Sequence, residues 1–255
     1  MDSGRHIWII GASSGIGAAL AKELASRGAK IILSARSKEK LQKVSKSLMG
    51  EGHLAWPLDV RDINGIENTI SNFLNQGIEL DSVIFMPAIY GTHSPVGHDI
   101  DLIHQMIAVN LTGAFNLMHY LNPFFKKQGY GQIALCASIA GYRGLPTGQP
   151  YCATKAGLVS YAESLKLDLR QDNVDVKLIS PGFVRTPLTD KNDFPMPFMI
   201  EAEDAAKAIA DGLARKGFEI HFPKRMTLLM KILRIMPNFF YFLTMRAVLG
   251  KILKE

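Results

Sequence analysis

Cysteine is scarce. The 255 residues hold only Cys136 and Cys152, which excludes a disulfide framework as the organising device. No Cys/His cluster has the spacing of zinc ligands, so no metal is expected. His93, His98, His104 and His119 also lack ligand spacing and read as surface or satisfied helix positions. The first ten residues have neither a basic segment nor a long apolar run, so no secretory signal is expected. The longest uncharged apolar stretch near the C-terminus lies between Arg234 and Arg246, short of the ~20 residues that a spanning helix needs. The 22 Gly and 12 Pro are too few for a fibrous or low-complexity chain. No internal repeat and no linker interrupts the pattern.

Acidic residues are almost missing from one part of the chain. Residues 221–255 carry seven Lys or Arg against Glu255, a net of +6. The remainder holds 22 basic and 22 acidic residues and is neutral. The basic isoelectric point of 9.2 is therefore a property of the tail, which argues against a nucleic-acid partner for the body. With 47% hydrophobic and 20% charged residues, the body is long and apolar enough for one large α/β domain.

What is present alternates. Apolar runs at 7–10, 31–34, 53–57, 82–86, 132–137, 174–179 and 218–222 read as strands. Between them, 16–27, 37–48, 62–76, 99–127, 151–170 and 201–216 read as helices, with Ser37 as an N-cap. This order predicts an α/β fold: a single doubly wound Rossmann domain, with a parallel sheet of about seven strands and helices on both faces. Ligands then bind where the loops leave the carboxyl ends of the strands. We read residues 1–222 as that domain and 223–255 as a basic, apolar C-terminal helical extension.

The first strand runs directly into Gly11-Ala-Ser-Ser-Gly15-Ile-Gly17 and then into a helix. Gly11 permits a tight turn, Gly15 a close approach of backbone to pyrophosphate, and Gly17 close packing of helix on strand. Gly11, Ser13, Ser14, Gly15, Ile16 and Gly17 are thus candidate cofactor contacts. The end of the second strand selects the nucleotide. An Asp or Glu there would hold a ribose 2′-hydroxyl, but the chain has Ser34-Ala-Arg36-Ser37-Lys38, with no acid before Glu39. The Arg36 guanidinium suits a 2′-phosphate, which favours NADP(H).

Tyr151-Cys-Ala-Thr-Lys155 opens a long helix, and of the seven tyrosines only Tyr151 has Lys at i+4. The two lie on one helical face. A neighbouring ammonium is expected to lower the phenol's pKa and fit Tyr151 to exchange a proton with a carbonyl or hydroxyl; a plain helix-face contact is the other reading. Ser138 follows the 132–137 strand on the ligand edge, where its hydroxyl could stabilise charge on a reacting oxygen. Asn110 falls inside a helix, where Asn is unfavourable. That suggests a specific task for its side chain, unless it merely lies on an exposed face. Cys152 has no His placed to activate it and reads as a small buried residue.

Together, GxxxGxG, Asn110, Ser138, Tyr151 and Lys155 resemble the short-chain dehydrogenase/reductase family over roughly residues 5–222. The resemblance implies Tyr151 as general acid/base, with Lys155 lowering its pKa and holding the nicotinamide ribose. It also implies that Ser138 polarises the substrate oxygen and that Asn110 orders a water in a proton relay. It assigns Asp59 and Val60 to the adenine, and Pro181, Gly182, Val184 and Thr186 to the nicotinamide carboxamide. The family's Asn-Asn-Ala-Gly is replaced by Phe85-Met86-Pro87-Ala88. A backbone contact at Ala88 is retained, but no side-chain role passes to Phe85 or Met86. The resemblance further implies a homodimer or homotetramer.

Two stretches keep alternatives open. The apolar 194–200 segment reads either as a lid favouring a hydrophobic, lipid-like or steroid-like carbonyl or alcohol, or as packing onto the domain or a partner subunit. The tail, residues 225–253, reads either as a membrane-surface contact or as a helix pair that covers the substrate mouth or builds a subunit interface. The expected protein is a cytoplasmic or peripherally membrane-associated NADP(H)-dependent oxidoreductase that interconverts a ketone and a secondary alcohol. The alternative is a catalytically weak nucleotide-binding regulatory or scaffold protein on the same fold.

Overall fold

The computed structural model describes residues 4–91, 99–191 and 194–252. The apolar runs become strands β1 (His6–Ile10), β2 (Lys30–Ser34), β3 (Leu54–Ala55), β4 (Ser82–Phe85), β5 (Gly131–Cys136), β6 (Val174–Pro181) and β7 (Glu219–Phe222). They form one seven-stranded sheet in the order β3-β2-β1-β4-β5-β6-β7, and every pair is parallel. The winding direction reverses between β1 and β4, which opens a crevice beyond their carboxyl ends. The expected doubly wound α/β fold is therefore what the chain adopts.

Both faces of the sheet are covered, which is why its strands read as continuous apolar runs. On one face Ile7, Ile9, Ile31 and Leu33 pack with residues of α1 (Gly15–Ser26), α2 (Lys38–Ser45) and α7 (Ala202–Leu213). On the other, Trp8, Val83, Phe85 and Leu135 pack with residues of α3 (Ile63–Asn75), α5 (Gly113–Gln128) and α6 (Gln149–Asp168). Trp8 is fully buried and meets Phe73 edge-to-face at 5.1 Å. Its indole N–H donates to Ser34 Oγ at 2.8 Å, and Ser34 in turn donates to the Trp56 carbonyl at 2.6 Å, so no polar atom of this contact is left unpaired.

Helix starts follow the capping residues. Ser37 accepts from Lys40 N–H ahead of α2, and Asp62 accepts from Gly65 N–H ahead of α3. Asp99 accepts from Leu102 N–H ahead of α4 (Ile100–Ile107). The single helix expected over 99–127 is instead interrupted. Between α4 and α5 lies a π-helical stretch, Ala108–Thr112, which holds Asn110. Such wide turns hold an extra residue and recur at functional sites. Here α4 packs on α6 while α5 packs on α3.

The tail forms α8 (Lys224–Ile235) and α9 (Asn238–Ile252). Met230 and Leu233 of α8 and Tyr241 of α9 are buried in a third cluster with Ile139 and Tyr142. Arg143 fastens the pair. Its guanidinium donates to the carbonyls of Arg234 (3.1 Å) and Met236 (3.2 Å) at the end of α8, donates to Asn238 Oδ1, and lies 4.3 Å from the Tyr241 ring centre. A cation at exposed C-terminal carbonyls opposes the negative end of the helix dipole. Tyr142 donates to Glu219, which also pairs with Lys231 at 2.6 Å, and Arg234 reaches Glu163 at 3.5 Å.

Candidate active site

A cleft of about 810 Å³ opens at the carboxyl edge of the sheet, between the glycine loop and the start of α6. Gly11, Ser13, Ser14, Gly15, Ile16 and Gly17 line it from β1 and α1, and Arg36, Asp59, Val60 and Ala88 from the ends of β2, β3 and β4. Ser138, Tyr151 and Lys155 line the opposite wall, with Pro181, Gly182, Val184 and Thr186 beyond β6. Of the candidate catalytic and cofactor-binding residues, Asn110 alone does not reach the cleft surface.

The loop has the shape of an anion cradle. Gly11 adopts φ +90°, and a Cβ there would stand 2.9 Å from the backbone of Met86 and Pro87. A Cβ on Gly17 would sit 2.3 Å from the Gly11 carbonyl oxygen, so helix and strand meet with no room for a side chain. Ser14 caps α1 in extended backbone but makes no side-chain cap bond. The first amides of α1 therefore still seek an acceptor. These features fit the pyrophosphate of a dinucleotide.

At the adenosine end, Asp59 is engaged by Arg61 through three carboxylate–guanidinium bonds, the shortest 2.6 Å. Those bonds from Arg61, reinforced by Arg36, hold the Asp59 carboxyl below its ordinary range. Lys40 and Ser37 also line this end, a contribution the sequence reading missed. The available signal was the spacing of Lys40 from Arg36: i+4, in the first turn of the helix leaving β2.

At the other end, Tyr151 and Lys155 project from the first turns of α6. Lys155 is 1% exposed, and its Nζ donates to the Cys136 carbonyl at 2.9 Å, 5.6 Å from the centre of the Tyr151 ring. The Ser138–Gly141 turn rests directly on this part of α6; a Cβ on Gly141 would stand 2.7 Å from the Lys155 carbonyl group. Ser138 Oγ accepts from Ala140 N–H at 3.1 Å and donates to the Pro181 carbonyl at 3.4 Å. Tyr90 closes the site edge-to-face with Tyr151 at 5.3 Å.

The electrostatics correct one expectation. Burial, with Cys136 second, pushes the Tyr151 phenol well above its ordinary value, and the nearby Ser138 hydroxyl only partly offsets that. Burial also pushes Lys155 down. Among the protein's own groups desolvation dominates both the phenol and the ammonium, whose Nζ is turned to the Cys136 carbonyl.

Asn110 is fully buried behind the cleft. Its Oδ1 accepts from Ile89 N–H at 2.8 Å, its Nδ2 donates to the Ile89 carbonyl at 2.9 Å, and Thr154 Oγ1 lies 3.4 Å away. It thus braces the segment after β4 against α6. Of the apolar 194–200 segment, no residue lines the cleft. Phe194 packs on Phe183 at 6.0 Å, and Ile200 bridges to Val184. Cys152 is buried. His104 and His119 lie on α4 and α5, away from the cleft, while His93 and His98 fall outside the described residues.

A glycine cradle at the switch point of a parallel sheet, facing a Tyr, Lys and Ser cluster, defines the class as a Rossmann-type oxidoreductase. The model of the short chain dehydrogenase family matches residues 5–195, and the chain belongs to that family. It is 32% identical over 237 residues to an uncharacterised oxidoreductase of Myxococcus xanthus, covering 92% of this chain and 93% of that protein. It is 31% identical over 232 residues to 3-dehydrosphinganine reductase TSC10A of Arabidopsis thaliana, covering 85% and 70%. Among solved structures, a short chain dehydrogenase/reductase from Burkholderia phymatum in complex with NAD superposes with a TM-score of 0.82 at 21% identity, covering 90% of this chain and 92% of that one. A short chain dehydrogenase from Burkholderia cenocepacia in complex with NADP superposes with a TM-score of 0.79 at 22% identity, covering 92% and 94%.

Proposed function

We propose that the protein is an NADP(H)-dependent oxidoreductase that interconverts a carbonyl and a secondary alcohol on a hydrophobic substrate. The observation that carries this reading is the cluster of Ser138, Tyr151 and buried Lys155, which lines the same cleft as the glycine cradle. Residues 1–222 are the catalytic domain in this reading, and 223–255 a helical extension.

Gly11, Ser13–Gly17 and the amides opening α1 hold the pyrophosphate, Asp59 and Val60 the adenine, and Ala88, Pro181, Gly182, Val184 and Thr186 the nicotinamide end. Arg36 and Lys40, with no acid at the end of β2, support a 2′-phosphate and hence NADP(H). Bound there, the dinucleotide supplies or accepts the hydride. In reduction, the Tyr151 phenol gives its proton to the carbonyl oxygen, and in oxidation it takes the proton back. Ser138 Oγ holds that oxygen and stabilises its developing charge. Lys155 holds the ribose next to the reacting centre. Asn110 acts as a positioning residue through Ile89 and Thr154, and the ordering of a water in the proton relay belongs to the same proposal.

Ile89, Val109 and Leu188 at the cleft support an apolar substrate, as does the Arabidopsis relative's name, 3-dehydrosphinganine reductase. Exposed Ile107, Phe115 and Leu167 on α4, α5 and α6 support a homodimer or homotetramer. The test is a panel of carbonyls and alcohols, long-chain, steroid and small polar, followed by dinucleotide absorbance with NADPH and NADH. The reading expects turnover of apolar ketones with NADPH. Preference for small polar carbonyls would overturn the substrate class, and dinucleotide binding without any turnover would favour a regulatory or scaffold protein.

A further inference from the structure

The strongest unexplained surface lies on the tail, away from the cleft. Of the 17 large hydrophobic side chains exposed among the described residues, eight fall between Leu228 and Leu243. On α8, Leu228, Leu229, Ile232 and Ile235 form one stripe at helical spacing, with Ile235 82% exposed. On α9, Phe239, Phe242 and Leu243 do the same, with Phe239 74% exposed. The opposite faces of both helices converge on the one cluster with Ile139 and Tyr142. The two stripes therefore point away from the body.

The charges around them carry one sign. No Asp or Glu occurs between Glu219 and Glu255. Lys231 and Arg234 are paired with Glu219 and Glu163 on the body and help fasten the helices. Arg225 precedes the α8 stripe and Arg246 continues the α9 stripe, both exposed. A monomeric protein rarely leaves so large an apolar patch in water, and no helix among the described residues is long and apolar enough to cross a membrane.

We propose that α8 and α9 lie in the plane of an anionic lipid surface, their Leu, Ile and Phe side chains below the headgroups and Arg225 and Arg246 among the lipid phosphates. A second copy of the chain fits this face less well. A two-fold interface would set each basic, acid-free stripe against itself, whereas anionic lipid satisfies apolar and cationic groups together.

The test is co-sedimentation of the full-length protein with vesicles of phosphatidylcholine, with and without phosphatidylglycerol. The expected result is at least about tenfold more protein bound to the anionic vesicles at low salt, weakened at high salt. Phe239→Ser with Phe242→Ser should reduce binding about tenfold or more, while thermal unfolding stays unchanged because both side chains are exposed. Phe239→Trp should be quenched by brominated lipid, which reads insertion directly. Absence of binding to either vesicle, or binding that the double serine variant leaves intact, overturns the proposal. So does a wild-type oligomer that the double variant dissociates in analytical ultracentrifugation, which would make the face a protein interface. None of these readouts involves turnover, so their failure leaves the catalytic reading untouched.

Discussion

Lys155 Nζ donates to the Cys136 carbonyl at 2.9 Å from a side chain almost wholly withdrawn from water. The ammonium that one would pair with the Tyr151 phenol is thus oriented by the end of β5, and the phenol is governed by its own burial. Since burial raises Tyr151, the neutral, protonated form persists above the ordinary phenol value. In the protein without dinucleotide, the tyrosinate absorbance that Tyr151→Phe removes should not develop below pH ~10. A phenol titrating near neutrality in that difference would contradict the geometry.

The same substitution tests the proposed chemistry. Tyr151→Phe keeps the ring against Tyr90 and removes only the hydroxyl. It should lower kcat roughly a thousandfold, the scale of a lost general acid, while dinucleotide Kd changes by less than about threefold. A variant retaining most of its turnover would remove Tyr151 from the mechanism.

Arg36 and Lys40 make a separable prediction. Arg36→Ala with Lys40→Ala should weaken NADPH binding by about ten- to a hundredfold and leave NADH within about threefold, because only NADPH carries the extra phosphate. Calorimetric titration of both dinucleotides checks this. Equal losses for the two would mean that the cations act only as a general positive field.

Asn110 predicts a stability effect rather than a purely chemical one. Asn110→Ala deletes a buried pair of bonds to Ile89 and leaves that amide and carbonyl without their partner. The cost is about 2–4 kcal/mol, read as a lower denaturant midpoint at unchanged m. A loss of activity without loss of stability would instead place Asn110 in the reaction.

Glu219 sets an acid dependence. Burial alone would raise its pKa, but bonds from Lys231, Tyr142 and Ser180 together hold it below the ordinary 4.5. A carboxyl lowered in the folded state contributes stability above its ordinary pKa and loses that contribution as pH falls through the folded value. Glu219→Gln should cost on the order of 1 kcal/mol at pH 7 and narrow the gap to wild type below pH 4. Melting temperatures across that range would show parallel curves if the bonds were inert.

The strands and the cradle were legible because burial on both faces writes continuous apolar runs, and a glycine is required wherever backbone passes within 3 Å of a would-be Cβ, as at Gly11 and Gly17. The Tyr–Lys–Ser spacing was legible for a similar reason: two of its members share a helix. Three things were not. The π-helical stretch leaves no periodicity signal of its own, so 99–127 read as one helix, although the awkward Asn110 marked the place. Lys40 was missed because a lysine in a helix's first turn looks like any solvated cation until β2 fixes where that turn points. The direction of the Tyr151 shift was missed because spacing along a helix says nothing about desolvation, which here outweighs the neighbouring charge.

The wide turn at Ala108–Thr112 absorbs one residue more than an α-helix would need to join α4 to α5 in the same phase. Excising that residue would let the chain wind straight from α4 into α5 with both helices still in register, and Met106 would stay in the interior. What would be lost is the local widening that carries the carboxamide of Asn110 to the backbone of Ile89. Such a deletion should therefore spare the packing of the two helices and strike the wall of the cleft.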